Sequence, residues 1–113
     1  MRHVENALLK FREAHKSDVA SNFISIDNIE DVPGIVPVVN FTIQSDPVSL
    51  VGVNGVQATD MLEYTKYLFE SLNEAFPCPD NALTLFHIEA ALKYQAQRTA
   101  DRQKRNVEGK NEA

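Results

Sequence analysis

Apolar residues first fall into register in residues 3–15, where Val4, Ala7, Leu8, Phe11 and Ala14 share one stripe at helical spacing. That spacing predicts a short amphipathic helix. The following stretch is less periodic. Ile24 and Ile26 alternate with Ser25 and Asp27, and Asp31 to Gly34 punctuate, which predicts a short strand or an irregular lead-in. In "VVNFTIQ", Val39, Phe41 and Ile43 alternate with Asn40, Thr42 and Gln44, the pattern of a half-buried strand. Asp46 and Pro47 make a turn, because the aspartate can bond its own backbone and the proline fixes φ. "VSLVGV" at 48–53 then reads as the returning strand, giving a β-hairpin over 36–53. Two strands alone are marginal and need a helix or a second subunit to pack against.

"NGVQ" at 54–57 reads as a strand-to-helix junction, with Asn54 as N-cap and Gln57 completing a capping box. The helix that follows, to about Ala75, carries Ala58, Met61, Leu62, Thr65, Leu68, Phe69 and Leu72 on one broad face. "FPCPDN" breaks it, since two prolines two apart cannot continue a helix. Asp80 or Asn81 would cap a last helix from about Ala82 to Arg105, with Leu85, Ile88, Leu92 and Gln95 drifting along one face and Ala82, Phe86 and Ala96 beside it. Two long helices joined by a short loop predict an antiparallel helical hairpin, over 56–106. The fold class is therefore α+β: an N-terminal helix and lead-in over 1–35, then a small antiparallel sheet and a long antiparallel helical hairpin over 36–113.

The chain of 113 residues is 43% hydrophobic and 24% charged, which suits one domain with a modest core. No apolar run is long enough to cross a bilayer. The charged start "MRHVENALLKFREAHK" is not a secretory leader. One cysteine, Cys78, forms no intramolecular disulfide and fits a reducing compartment. A soluble, cytoplasmic protein is the expectation. The net charge of −5 divides into −8 over residues 1–92 and +3 over 93–113. An acidic chain is a poor general binder of DNA or RNA, which requires broad phosphate neutralisation. A local basic site remains compatible with it.

Catalytic chemistry is hard to place. His3, His15 and His87 are scattered without metal-ligand spacing, and Cys78 has no second cysteine near it, so no metal or cofactor is expected. Cys78, after Pro77, reads as a small, half-buried hydrophobe. "GVNG" at 52–55 is too short for a phosphate loop, and its glycines fit a tight turn. The basic end is more informative. Arg98, Arg102 and Arg105 recur at i+4 and i+3 on one helix stripe, and like charges so placed cost about 0.2–0.5 kcal/mol per pair. Asp101 can offset part of that cost, and cations suit a helix C-terminus. Spacing alone therefore favours a solvated helix end over an anion clamp, although paired guanidinium groups suit a pyrophosphate. Tyr94, one turn before Arg98, fits equally the edge of a helix seam and a stacking surface beside phosphates. Asn81 reads by default as a cap, with recognition of a base or ribose edge as the alternative.

Three motifs add to this picture: Gly-Val-Asn-Gly-x-Gln at 52–57, Phe-x-Cys-x-x-Asn-Ala at 76–82, and Arg-Thr-x-x-Arg-x-x-Arg-x-Val-Glu-Gly at 98–109. With them, residues 39–113 resemble the phage Thoeris anti-defence sponge family, which shares its C-terminal helical hairpin with anti-CBASS sponges. The resemblance implies a protein that is not an enzyme. Such a protein would bind and sequester cyclic nucleotide immune signals in the host bacterial cytoplasm: glycosyl-cyclic ADP-ribose isomers and, at a separate site, cyclic di- or trinucleotides. It implies homodimers that can build hexamers, with pockets shared between chains. Matched motif by motif, Arg98 and Arg102 would take the phosphates and Asn81 the base or ribose. The family's aromatic just upstream of the turn falls at Ser71, a departure that leaves Phe69 or Phe76 to supply the ring. Its tryptophan in the last helix is replaced by Tyr94. Arg105, Gly109 and Lys110 are the candidates for the second site. The alternative from another functional class is a small oligomeric phage accessory or adaptor acting through protein–protein contacts.

Overall fold

A computed structural model describes residues 2–27 and 38–105. The boundary expected at 35/36, and Gly109 and Lys110, lie outside the described residues. The elements are α1 (Arg2–Ala14), a 3-10 turn (Val19–Phe23), β1 (Ile24–Asp27), β2 (Val38–Phe41), α2 (Val48–Val51), α3 (Ala58–Ala75) and α4 (Pro79–Lys104). The α+β expectation is met, with an antiparallel two-stranded sheet between an N-terminal helix and long C-terminal helices.

The sheet's partner strand differs from the expected one. β2 pairs backward with β1, Ile24 opposite Phe41 and Ile26 opposite Val39. These pairs point into the core, while Ser25, Asp27, Val38 and Asn40 face outward. Residues 48–53 do not return as a strand; Val48–Val51 form one helical turn, closed by Gly52 at φ 74°. Two side-chain amides explain the difference. Gln44 accepts from the N–H groups of Asn54 (3.0 Å) and Gly55 (3.2 Å) and donates to the carbonyls of Gly52 (2.9 Å) and Asp46 (3.1 Å). Asn54 accepts from the Ser45 N–H (2.9 Å) and donates to its carbonyl (3.0 Å). Together they replace a strand ladder and close the 45–53 loop. Ile43, expected inward, is exposed and bridges Val56 in parallel.

Gly55 sits where these backbones nearly touch. A Cβ there would lie 2.4 Å from the Ile43 carbonyl carbon and 2.5 Å from the Gln44 nitrogen. The cap of α3 also moves from its expected place. Gln57 is the N-cap and Asp60 the reciprocal partner, its carboxylate accepting the Gln57 N–H at 2.8 Å, while Asn54 is spent on the loop.

The core lies between α1, the sheet and α3. Ala7, Leu8 and Phe11 bury one face of α1 against Ile24, Val56 and Tyr64, as the stripe predicts, except that Ala14 is exposed. The Tyr64 hydroxyl donates to the Val4 carbonyl at 2.8 Å, and its ring meets Phe41 edge-on at 5.8 Å. Fully burying Phe11 contributes about 1.5–3 kcal/mol, so α1 is part of the fold's main core.

At its C-terminal end α1 is clasped to α3. His15 stacks on Phe11 and lies between Glu63, through Nε2, and Asp18, through Nδ1 at 3.3 Å. Both nitrogens donate only in the imidazolium form. Burial opposes that charge, but the hydrogen bond and attraction of Glu63, with Asp18 and Asp60 adding, hold the His15 pKa above its ordinary 6.5.

Two outcomes follow for stability. Gly55→Ala forces the Ile43 and Gln44 backbone aside and costs about 2–3 kcal/mol in urea unfolding. A histidine held above its unfolded pKa stabilises in full below that value and loses the contribution as pH rises through the folded one. The melting temperature therefore falls as pH rises beyond 6.5, and His15→Gln removes that slope together with about 1.5 kcal/mol of stability at pH 6. Asp60, raised by burial, loses stability with the same sign but in the carboxylate range, outside this window.

Candidate functional site

Apart from Phe69 within α3 and Tyr94 inside α4, the described residues singled out by sequence lie at or beside the two ends of α4. This helix follows the turn 76–78 and runs back along α3, so a groove of about 440 Å³ is lined by Thr59 and Glu63 from the start of α3 and by Leu92, Gln95, Thr99 and Gln103 from the far half of α4. The helical hairpin is thus antiparallel, as expected. Its packing is one-sided. Leu85, Ile88 and Leu92 are half-buried, while Leu83 (58%), Phe86 (65%) and Tyr94 (68%) are exposed along the other side. Phe86, expected beside the seam, therefore faces outward.

At the N-terminal end the turn is built on Cys78, Asn81 and Phe76. Cys78, not Asp80 or Asn81, is the N-cap of α4: its Sγ accepts the Asn81 N–H at 3.4 Å, and Pro79 opens the first turn. Cys78 is exposed rather than half-buried. Relieved of capping, Asn81 turns its amide to the Phe76 carbonyl, donating from Nδ2 at 3.2 Å. Among the described residues its Oδ1 accepts nothing, which leaves one acceptor open beside the turn. The Phe76 N–H donates to the Leu72 carbonyl at 2.8 Å, so both backbone groups of Phe76 are held while its ring is 67% exposed.

The two candidate aromatics are therefore not equivalent. Phe69 is half-buried along α3, whereas Phe76 adjoins Asn81. Ser71 is buried at 6% exposure, with its hydroxyl 3.2 Å from His3 Nδ1, so position 71 carries no exposed ring. His3 also meets the Phe76 ring at 6.2 Å between centroids. No sequence signal links His3 to this turn, because 68 residues separate it from Ser71.

At the C-terminal end the three arginines do not form one solvent-facing row. Arg98 and Arg105 are exposed, but Arg102 is turned in and only 9% exposed. Among the described residues no salt bridge joins Asp101 to Arg98. Arg105 is the C-cap, its N–H donating to the Asp101 carbonyl. Tyr94 stands exposed on the same helix one turn earlier.

The structure therefore sets Asn81 beside Phe76 at one end of α4 and, one turn apart at the other end, an open Arg98 and a covered Arg102. Asn81 and Arg98 are 17 positions apart on one helix, roughly 25 Å at 1.5 Å per residue. The open acceptor and aromatic face at one end suit a base or ribose; the cations at the other suit phosphate.

No family model matches the chain. The chain is similar to a curated protein of Bacillus phage SBSphiJ7, "Thoeris anti-defense 1", at 35% identity over 85 residues, which cover 74% of this chain. It spans 58% of that relative's length. With that likeness and the motifs at both ends of α4, the chain belongs to the Thoeris anti-defence family.

Proposed function

We propose that this chain is a non-catalytic phage anti-defence protein that binds and sequesters a cyclic nucleotide immune signal of the glycosyl-cyclic ADP-ribose type in the host cytoplasm. The name of its Bacillus phage relative supports the anti-defence role. The observation that carries the binding mode is the separation of Asn81 and Phe76 from Arg98 and Arg102 by the length of α4. One small ligand cannot bridge roughly 25 Å within a chain, so a working site takes one end of α4 from each of two chains.

An antiparallel pairing of two α4 helices supplies this arrangement. About Ala90, Phe86 of one chain meets Tyr94 of the other, and the exposed Leu83, Phe86 and Tyr94 are covered. Charge favours the same direction. Asp80 and Glu89 lie exposed in the first half of α4, and Lys93, Arg98 and Lys104 outnumber the exposed Asp101 in the second, so antiparallel helices set acidic against basic halves. The symmetry gives two equivalent sites per pair. Enclosure between chains also buries more of a ligand than an open single-chain surface does. Sequestration then needs occupancy alone, with no bond made or broken.

Ile43, Leu50 and Val51, in and before α2, are also exposed, the observation that favours the adaptor reading. The test is incubation of the pure protein with glycosyl-cyclic ADP-ribose isomers and cyclic di- and trinucleotides, removal of free ligand, then heating. The expected result is depletion of a signal and its return intact; no depletion, or a chemically altered product, contradicts the proposal. Arg98→Ala is the cleanest variant because Arg98 is exposed, and it should weaken retention at least tenfold, about the value of one charge-assisted phosphate contact. Calorimetry measures this, with the assembly mass unchanged. Loss of assembly without loss of binding supports the adaptor.

A further inference from the structure

We infer that the cavity at the start of α3 is a docking site for a partner protein, which enters it with an arginine or lysine side chain flanked by apolar residues. The inference stands apart from the ligand-binding reading, because α4 contributes no lining residue. The cavity, of about 430 Å³, lies between the 3-10 turn, the loop that Gln44 closes and the first turn of α3. That volume falls in the range of ligand-binding clefts, about 300–1,000 Å³.

The lining combines apolar Ala20, Val48 and Val53 with two carboxylates, Asp18 and Asp60. The start of a helix ordinarily offers its N–H groups to an anion. Here the Gln57 and Asp60 N–H groups are taken by the reciprocal capping box. The Gln44 amide is likewise committed, through the four bonds that close its loop. What the cavity keeps is acceptor capacity. Asp18 accepts the Ala20 N–H at 2.9 Å and faces His15, and Asp60 accepts the Gln57 N–H, whereas an ionised carboxylate has about four acceptor sites. Burial raises the Asp60 pKa, with Asp18 and Glu63 adding to that effect and the Gln57 N–H and His15 opposing it. A cation brought beside Asp60 offsets the cost of keeping it ionised.

Arginine and lysine lay an apolar stem on apolar surface while the charged head reaches a carboxylate, which matches this lining. Apolar exposure also continues beyond it. Val19, Ile43 and Leu50 each stand next in the chain to a lining residue, and all three are more than half exposed, Leu50 at 76%. A free small cation would leave them in water. A protein segment with apolar residues on either side of its cation covers them. Charge thus sets the side chain that enters, and the apolar border sets its neighbours.

The test measures calorimetric affinity for two probes: a pentapeptide with arginine between pairs of leucines, and its counterpart with citrulline, the neutral isostere. The wild-type protein should prefer the arginine peptide at least tenfold, as expected for a charge-assisted contact. Asp60→Asn, which keeps an acceptor for the Gln57 N–H, should bring that ratio within about threefold at an unchanged melting temperature. Val53→Ser should weaken both peptides at least threefold, through lost apolar contact. Equal affinity of the wild-type protein for the two peptides, or no binding of the arginine peptide at millimolar concentration, overturns the inference. So does a wild-type assembly mass that falls in Asp60→Asn without any peptide, since a second copy of the chain would then fill the cavity.

Discussion

A helix cannot shorten to bring its ends together, and α4 is 26 residues long. That fixed length governs the geometry of the site. Its cap builds an aromatic and amide surface at one end, and its last turns gather cations at the other, about 25 Å apart for Asn81 and Arg98. The same helix buries little of itself: Arg102 is its one buried residue, and a row of large apolar side chains faces outward. The proposed pairing with a second, antiparallel copy answers both the divided chemistry and the uncovered apolar surface of this one element.

The body of the domain exists to hold that helix. α1, the two-stranded sheet and α3 share one core around Phe11, Ile24, Val56 and Tyr64, and α4 packs chiefly on α3. The N-terminal helix does more than thicken the core. Its C-terminal end is tied to α3 by His15 and Glu63, and its N-terminal end brings His3 to the Phe76 turn. A helix remote from the motifs in sequence thus meets one of them in space.

What the sequence makes legible is what local periodicity encodes. The stripe of α1, the alternation through Val39 and Phe41, and the extents of α3 and α4 need only near neighbours along the chain. Partner choice is not so encoded. Residues 48–53 alternate well enough for a strand, but the bonds of Gln44 and Asn54 close the loop first, and Ile24 and Ile26 take the place beside β2. Caps mislead in the same way, since Asn54 and Asn81 are good caps by type, yet Gln57 and Cys78 hold those positions and free both asparagines for other work. Of the candidate site, the arginines and Asn81 are readable from motif; that Arg102 is covered while Arg98 is open, and that Ser71 sits beneath His3, depends on contacts across the fold.

The most direct measurement is complementation between two inactive chains. Asn81→Ala and Arg98→Ala proteins, each assayed at a ligand concentration where its weakened site retains no cyclic nucleotide, are unfolded, mixed in equal amounts and refolded together. In an antiparallel pair the mixed dimer carries one site with both substitutions and one with neither, so random pairing restores binding to about a quarter of the wild-type sites. That recovery is the predicted result. A mixture as inactive as its two components would contradict a site shared between the opposite ends of two α4 helices.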